Sequence, residues 1–154
     1  MRQTALVLLA VWFGLASVSV RASCRKMTLE EQFALSTVVF VGRATAQEAE
    51  AHTRVLGTTT TFTREEISTV TTFTLEEMWK GASATELRVE TCGGRLGDKG
   101  FACSESFTFQ IGSTYLVFAS GDPLQTSACV PTALLERASA TLEWLTKQPR
   151  LNGR

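Results

Sequence analysis

Hydrophobic and polar residues alternate in two short segments of the chain, which is the pattern of strands with one buried face. Leu87 and Val89 alternate with charged residues, and Phe107, Phe109 and Ile111 alternate with threonine and glutamine. Both segments are therefore predicted to be strands. The segment 115–119 (YLVFA) is instead apolar at almost every position, which favours a central strand buried on both faces.

Segments rich in β-branched residues predict further strands nearer the start of the chain. Residues 37–46 (TVVFVGRATA) form the first, with a bulge or bend at Gly42, and residues 67–75 (ISTVTTFTL) form the second. The polar segment 47–66 between them predicts a long hairpin with its tip near Gly57.

A helix is predicted after the strands. It is expected to open at Pro131-Thr132 and to end at Gln148-Pro149. Its buried face would consist of residues at helical spacing, namely Leu134, Ala138, Thr141, Leu142 and Leu145. The tail, residues 149–154, is expected to be frayed.

A shorter helix is predicted before the strands. Thr28 and Glu31 have the spacing of a capping box, so a helix should follow over residues 29–35. No helix is predicted between the strands, which excludes a sheet built from alternating strands and helices. The chain is therefore predicted to be mostly β, as a small closed barrel or a sandwich of about five strands, with an N-terminal and a C-terminal helix.

The first 22 residues have the pattern of a secretory signal peptide. Arg2 provides a positive start, residues 5–20 are mostly apolar, and Val20 and Ala22 lie at the −3 and −1 positions of a cleavage site. A membrane anchor is the alternative, but an apolar run of about 16 residues is shorter than the roughly 20 that a span needs. The predicted domain is residues 23–148, and the protein is expected to be secreted, periplasmic or extracellular.

All four cysteines lie in the predicted mature chain, at positions 24, 92, 103 and 129. An even number in a secreted domain predicts two disulfides, and the sequence leaves all three possible connectivities open. The chain has no C-x2-C pair, and its one histidine, His52, lies in a polar segment. We therefore expect no metal site and no cofactor.

Charge and residue types argue against several classes of function. Fifteen basic and fifteen acidic residues give no net charge, and loss of two arginines with the signal would leave −2, which argues against a nucleic-acid partner. The two aspartates, Asp98 and Asp122, lie in glycine-flanked turns, and no G-x-S-x-G motif is present. Neighbouring acids such as Glu65 and Glu66 face opposite sides of a strand. The chain is therefore not predicted to be an enzyme.

Six features occur in a fixed order along the chain. They are Cys24, residues 39–44 (VFVGRA), residues 73–81 (FTLEEMWKG), Cys103 ahead of Phe107 and Phe109, residues 112–119 (GSTYLVFA) and residues 126–129 (TSAC). Together they resemble the netrin-like module, whose best-known members are the tissue inhibitors of metalloproteinases. The resemblance covers roughly residues 23–131 and implies a five-stranded OB-fold-like barrel.

The resemblance also implies how the cysteines pair and which segment binds. In the family's inhibitors the mature chain begins Cys-x-Cys, and the first cysteine presents its α-amino group and carbonyl oxygen to the zinc of the protease. Here Cys24 stands alone, with Ser23 ahead of it after signal cleavage. If Cys24 matches the second family cysteine, the implied bridges are Cys24–Cys129 and Cys92–Cys103. The alternative, Cys24–Cys103 with Cys92–Cys129, follows the family's other bridge.

We therefore expect a secreted, disulfide-stabilised binding module for a protein partner, with inhibition of a secreted metalloproteinase as the implied activity and no membrane span after signal cleavage. The predicted partner-binding residues are Ser23, Cys24, Arg25, Lys26, Phe101, Ala102, Cys103 and Ser104. One alternative is an OB-type binder of glycans that stacks sugars on Trp79. A less favoured alternative is a small hydrolase that uses His52 in a pocket at the barrel mouth.

Overall fold

The structure is a computed structural model that describes residues 24–56 and 62–153. The predicted signal peptide, Ser23, the hairpin tip at Gly57 and Arg154 lie outside the described residues. The described chain is mostly β with two α-helices, which confirms the predicted class. None of these helices has the length and the apolar character needed to cross a membrane.

Nine strands are present in the described residues. They are β1 (Val38–Leu56), β2 (Phe62–Ala82), β3 (Glu86–Cys92), β4 (Gly94–Leu96), β5 (Lys99–Phe101), β6 (Thr114–Ala119), β7 (Gln125–Thr126), β8 (Ala133–Leu134) and β9 (Leu151–Gly153). The helices are α1 (Leu29–Leu35) and α2 (Ser139–Thr146), with a 3-10 helix at Leu135–Arg137.

Seven of these strands belong to one sheet. Its order is β7-β3-β2-β1-β6-β8, with β9 added beside β2, while β4 and β5 form a separate hairpin. Within the described residues the strand ladders do not close into a barrel, so the predicted closed barrel is not what the pairing shows. An isolated bridge between Ser120, just after β6, and Gln125 in β7 connects two parts of the sheet that the ladders leave apart.

The predicted long hairpin is formed by β1 and β2, which pair as far as Leu56 and Phe62. The register shifts between Val41 and Gly42, so the bulge predicted at the glycine is confirmed. A Cβ atom at Gly42 would lie 3.0 Å from a ring carbon of Phe40, which explains why a residue without a side chain fits here.

Hydrophobic clusters pack on both faces of β1 and β6. One contains Val38, Phe40, Ala44, Phe73, Val89, Phe109, Tyr115, Val117 and Ala119. The other contains Phe33, Val39, Val41, Trp79, Leu116, Phe118, Ala138 and Leu145, and includes residues of α1 and α2. Because consecutive strand residues point to opposite faces, residues 115–119 are all buried, and the predicted central strand is confirmed.

The strand predicted over residues 107–111 is not formed. Phe109 is buried, and its ring centroid lies 4.9 Å from that of Tyr115. The backbone is satisfied by side chains: the Gln110 N–H donates to the Tyr115 hydroxyl at 2.8 Å, and the Gln47 amide donates to the Phe109 carbonyl at 3.1 Å. The alternation of apolar residues therefore reflects burial of an irregular segment.

The capping box at the start of α1 is confirmed. The Thr28 hydroxyl accepts from the Glu31 N–H at 3.2 Å, and the Thr28 N–H donates to the Glu31 carboxylate at 2.8 Å. The pKa of Glu30 is held below its usual range by hydrogen bonds from its own backbone N–H, from Thr28 and from the Trp144 indole. The indole N–H donates at 2.9 Å and thereby connects α1 to α2.

The C-terminal helix begins later than predicted. Residues 133–134 pair with β6 as β8, so α2 starts at Ser139 instead of at Pro131-Thr132. The predicted apolar face is formed in part, because Ala138 and Leu145 are buried.

Residues 151–153 lie in the tail for which fraying is expected. They form β9, which pairs in parallel with Lys80–Ala82 of β2. Just before β9, the Arg150 guanidinium pairs with the Glu77 carboxylate and lies 5.6 Å from the centre of the Trp79 ring. Backbone pairing and these contacts hold this part of the chain on the sheet.

Candidate functional site

A cleft of about 840 Å³ lies beside the ends of several strands. Its walls include residues of the β1–β2 hairpin, of the end of β3 and of the segments 101–105 and 120–130. The segment 101–105 follows the β4–β5 hairpin and is called the connector below. The cleft is therefore where the connector meets the sheet.

Two disulfides fix the surroundings of this cleft. The Cα atoms of Cys24 and Cys129 are 5.2 Å apart, and those of Cys92 and Cys103 are 5.8 Å apart. This is the pairing implied by the resemblance, and the alternative pairing is not present. The first bridge attaches the start of the described chain to the segment after β7, and the second attaches the connector to the end of β3.

The two bridged regions are also joined by backbone and side-chain hydrogen bonds. The Ala128 N–H, next to Cys129, donates to the carbonyl of Glu105 in the connector at 2.9 Å. The amide of Gln32, in α1, donates to the Cys129 carbonyl at 3.4 Å. The N-terminal segment and the connector, far apart in sequence, are thus held at one edge of the molecule.

The predicted partner-binding residues lie in two places at this edge. The connector residues Phe101, Ala102, Cys103 and Ser104 line the cleft. Cys24, Arg25 and Lys26 are exposed and reach the same region through the Cys24–Cys129 bridge, without lining the cleft themselves. Ser23 lies outside the described residues.

The structure also brings together a group that the sequence analysis missed: Glu50, His52 and Glu90. The Nε2 atom of His52 lies 3.5 Å from a carboxylate oxygen of Glu90 and 3.9 Å from one of Glu50. The hydroxyl of Ser68 is 2.9 Å from the same nitrogen. One oxygen or nitrogen from each of Glu50, His52 and Glu90 lies within 4.8 Å of those of the other two.

The strand register explains this convergence. Glu50 and His52 are two residues apart on β1, so their side chains leave the same face. Glu50 pairs with Ser68 on β2, and Ser68 pairs with Cys92 on β3, which is two residues from Glu90. The group therefore spans three adjacent strands on one face.

The carboxylates in and around the group differ in how far neighbouring positive charges neutralise them. The Arg88 guanidinium pairs with Glu48 at 2.7 Å and with Glu50 at 2.5 Å. Glu90 is only 9% exposed, and its carboxylate accepts from the Gln125 amide at 3.3 Å. Among the residues whose side chains the structure describes, no lysine or arginine forms an ion pair with this carboxylate. Among those described side chains, only the imidazole of His52 can place a positive charge next to the Glu90 carboxylate.

The same residue types could suggest a Ser–His–Glu hydrolase, but their geometry differs from that of a catalytic triad. In a triad the nucleophile contacts one imidazole nitrogen and the carboxylate contacts the other. Here Ser68, Glu50 and Glu90 all approach Nε2 of His52. The arrangement gathers donor atoms around one point and does not orient a base toward a nucleophile.

Trp79 does not provide a platform for stacking sugars. It is 2% exposed and belongs to the hydrophobic cluster that includes α1 and α2. A tryptophan near the end of a strand is expected to be exposed, but here the two helices cover the Trp79 ring. The glycan-binding alternative loses the residue on which it depended.

A sequence signal for part of the His52 group did exist. Glu48, Glu50 and His52 alternate with alanines, which is the period of one strand face. The prediction places His52 only in the polar segment of a long hairpin, whereas the residue lies on β1 beside these glutamates.

Comparisons with known proteins add no family to this picture. No protein-family model matches the chain, and no curated protein matches it either. The function is therefore argued from the geometry of the described residues and from the resemblance stated above.

Proposed function

We propose that the protein is a secreted, disulfide-stabilised binding module of the netrin-like type that docks on a protein partner through one edge. This docking edge consists of residues 23–26 and residues 101–104. The observation that carries the proposal is that the Cys24–Cys129 bridge and the Ala128–Glu105 hydrogen bond connect these two segments, while the Cys92–Cys103 bridge anchors the second one. Two disulfides also suit a protein that works in an oxidising compartment outside the cytoplasm.

Fixing these segments before binding would favour affinity. A flexible segment loses conformational freedom when it docks, and a segment that is already cross-linked loses less. The bridge at Cys24 restrains the N-terminal segment, while the bridge at Cys103 restrains the connector. A preorganised edge of this kind is suited to a protein partner with a matching groove.

We propose an incompletely paired OB-type barrel as the scaffold of this edge. Strands β1, β2 and β3 form a consecutive antiparallel meander, and β6 pairs with the other side of β1. The bridge between Ser120 and Gln125 brings the end of β6 to β7, which itself pairs with β3. This isolated bridge is the support for closure, because the strand ladders themselves leave the sheet open.

The partner class follows from charge and from the resemblance. Arg25 and Lys26 are exposed and form no ion pair within the described residues, so an acidic rim on the partner would complement them. We propose a secreted metalloproteinase with such a rim as the target. The α-amino group of Ser23 would then bind the protease zinc.

An inhibition assay tests this function. Protein that begins at Ser23, with both disulfides formed, is assayed at about micromolar concentration against a panel of secreted metalloproteinases. The double variant Arg25→Glu with Lys26→Glu should lose at least about tenfold in affinity for any protease that is inhibited. Arg43→Glu with Arg137→Glu is the matched control, since it makes the same charge change at exposed positions outside the docking edge.

Three outcomes separate the versions of this proposal. Full activity of every protease would remove the inhibitory function. Inhibition that survives acetylation of the Ser23 amine, but not the charge reversal at Arg25 and Lys26, would support docking without zinc chelation. Equal effects of the two charge-reversal variants would contradict the docking edge itself.

A further inference from the structure

We propose that Glu50, His52 and Glu90 bind a transition-metal dication of the Zn²⁺ type at the cleft. The two carboxylates and the imidazole offer three ligand atoms, all within 4.8 Å of one another. The ligands belong to β1 and β3 and include no residue of the docking edge. This inference therefore stands independently of the proposed function.

The distances require little rearrangement for metal binding. In a tetrahedral zinc site with bonds of about 2.0–2.2 Å, neighbouring ligand atoms are about 3.3–3.6 Å apart. The separations from His52 Nε2 are 3.5 Å to Glu90 and 3.9 Å to Glu50. A small movement of the half-buried Glu50 side chain, which also pairs with Arg88, would bring its oxygen closer.

The buried carboxylate of Glu90 is an independent reason to expect a cation. Burial of a carboxylate without a compensating positive charge is costly. Within the described residues Glu90 has only an amide donor, at 3.3 Å, and the imidazole of His52 beside it. The side chains of Glu48, Glu50, Glu90 and Arg88 carry three negative charges and one positive charge, which leaves two negative charges among these four groups. A dication would balance them.

The ligand types and the access to the site favour zinc over harder ions. Imidazole suits Zn²⁺, Cu²⁺ and Ni²⁺, whereas Mg²⁺ and Ca²⁺ prefer oxygen ligands alone. The His52 side chain is 45% exposed and lines the cleft, and the Glu50 side chain is 36% exposed, so an ion can enter from solvent. Three protein ligands also leave one tetrahedral position for water or an external ligand.

The composition of the chain makes the test unusually specific. The protein has one histidine, and its four cysteines are paired in two disulfides, so His52 is the sole imidazole and no thiol competes. Untagged oxidised protein is titrated with Zn²⁺ by calorimetry and with Co²⁺ by visible absorption. The Hε1 proton resonance of His52 is followed by NMR in the Zn²⁺ titration.

Three variants define the expected result. His52→Ala should abolish the Co²⁺ spectrum. Glu90→Gln should weaken Zn²⁺ binding at least about tenfold, since even loss of an outer-shell partner costs about 10–100-fold. Glu65→Gln is the matched control and should bind like wild type, because Glu65 is exposed and paired with Lys99 at 2.8 Å.

The proposal is overturned if wild-type protein binds no Zn²⁺ at about 100 μM, or if His52→Ala binds it as tightly as wild type. Circular dichroism and free-thiol assay of each variant establish that it is folded and oxidised. The Arg25→Glu with Lys26→Glu variant should keep normal Zn²⁺ binding. The protease assay therefore tests the docking edge, and Zn²⁺ binding tests the metal site, so failure of one proposal can be told from failure of the other.

Discussion

The two disulfides close loops of very different length, and this difference predicts unequal contributions to stability. The bridge at Cys24 and Cys129 spans 105 residues, whereas the bridge at Cys92 and Cys103 spans 11. The test replaces each pair with alanines in a separate double variant. Both pairs of Cα atoms are already at ordinary disulfide separations, so each change removes a cross-link without a designed change in the backbone.

The expected losses follow from the entropy of loop closure in the unfolded chain. The 105-residue loop gives about 4.8 kcal/mol at 25 °C, and the 11-residue loop gives about 2.8 kcal/mol. Removal of the long-loop bridge should therefore cost about 2 kcal/mol more than removal of the other. A loss of this size is a large part of the roughly 5–15 kcal/mol that stabilises a typical domain.

The free energy of unfolding is measured by urea denaturation with tryptophan fluorescence as the signal, for wild type and both double variants under one set of conditions. Wild type with both bridges reduced by dithiothreitol is the control and should be no more stable than either variant. Equal losses in the two variants, or a larger loss for the 11-residue loop, would refute the loop-closure reasoning.

Three further changes test individual contacts. Thr132→Val should lower the free energy of unfolding by about 1–3 kcal/mol in urea denaturation, because the Phe118 N–H loses a buried acceptor at 3.0 Å. Gly81→Ala should cost about 1–3 kcal/mol and lower the melting temperature, because the φ angle is +121° and the new Cβ would lie 2.8 Å from a β1 side-chain carbon. Glu30→Gln should destabilise near neutral pH, because hydrogen bonds from its own N–H, a neighbouring threonine and the Trp144 indole lower the pKa of Glu30. This stabilisation is present above the usual value of 4.5 and is lost as the pH falls through the lowered pKa, so the two proteins should converge in acid denaturation curves.

The first two of these changes have control variants. Thr132→Ser keeps the hydroxyl and should recover most of the stability lost in the valine variant. Gly97→Ala places alanine at a positive φ of +63° with no atom within 4 Å, so it measures backbone strain alone. For Glu30→Gln, a difference in the free energy of unfolding that persists unchanged into strong acid would show that the ionised carboxylate of Glu30 is not what stabilises the fold.

Elements set by local chemistry could be predicted from the sequence. The capping box at Thr28 and Glu31 involves neighbouring residues only, and the helix after it has the predicted bounds. The apolar run 115–119 needed no partner to indicate burial on both faces. Residues 107–111 could not be predicted in this way, because contacts from the distant Gln47 and from Tyr115 replace strand pairing there.

The candidate sites show the same limit. Strand periodicity places Glu50 and His52 on one face, but Glu90 joins them only through the pairing of β2 with β3. Spacing rules for zinc sites detect ligands that are close in sequence, so they could not find this group. The cysteine pairing came from the resemblance, since the sequence by itself left three connectivities.

The parallel pairing of β9 with Lys80–Ala82 has a consequence for solution behaviour. Unpaired backbone N–H and C=O groups along a strand edge can recruit a strand from another molecule, which is a common start of aggregation. At this stretch of β2 the edge is already taken by the chain's own residues 151–153. A truncated form that lacks these three residues would leave that edge available for pairing with a strand of another molecule.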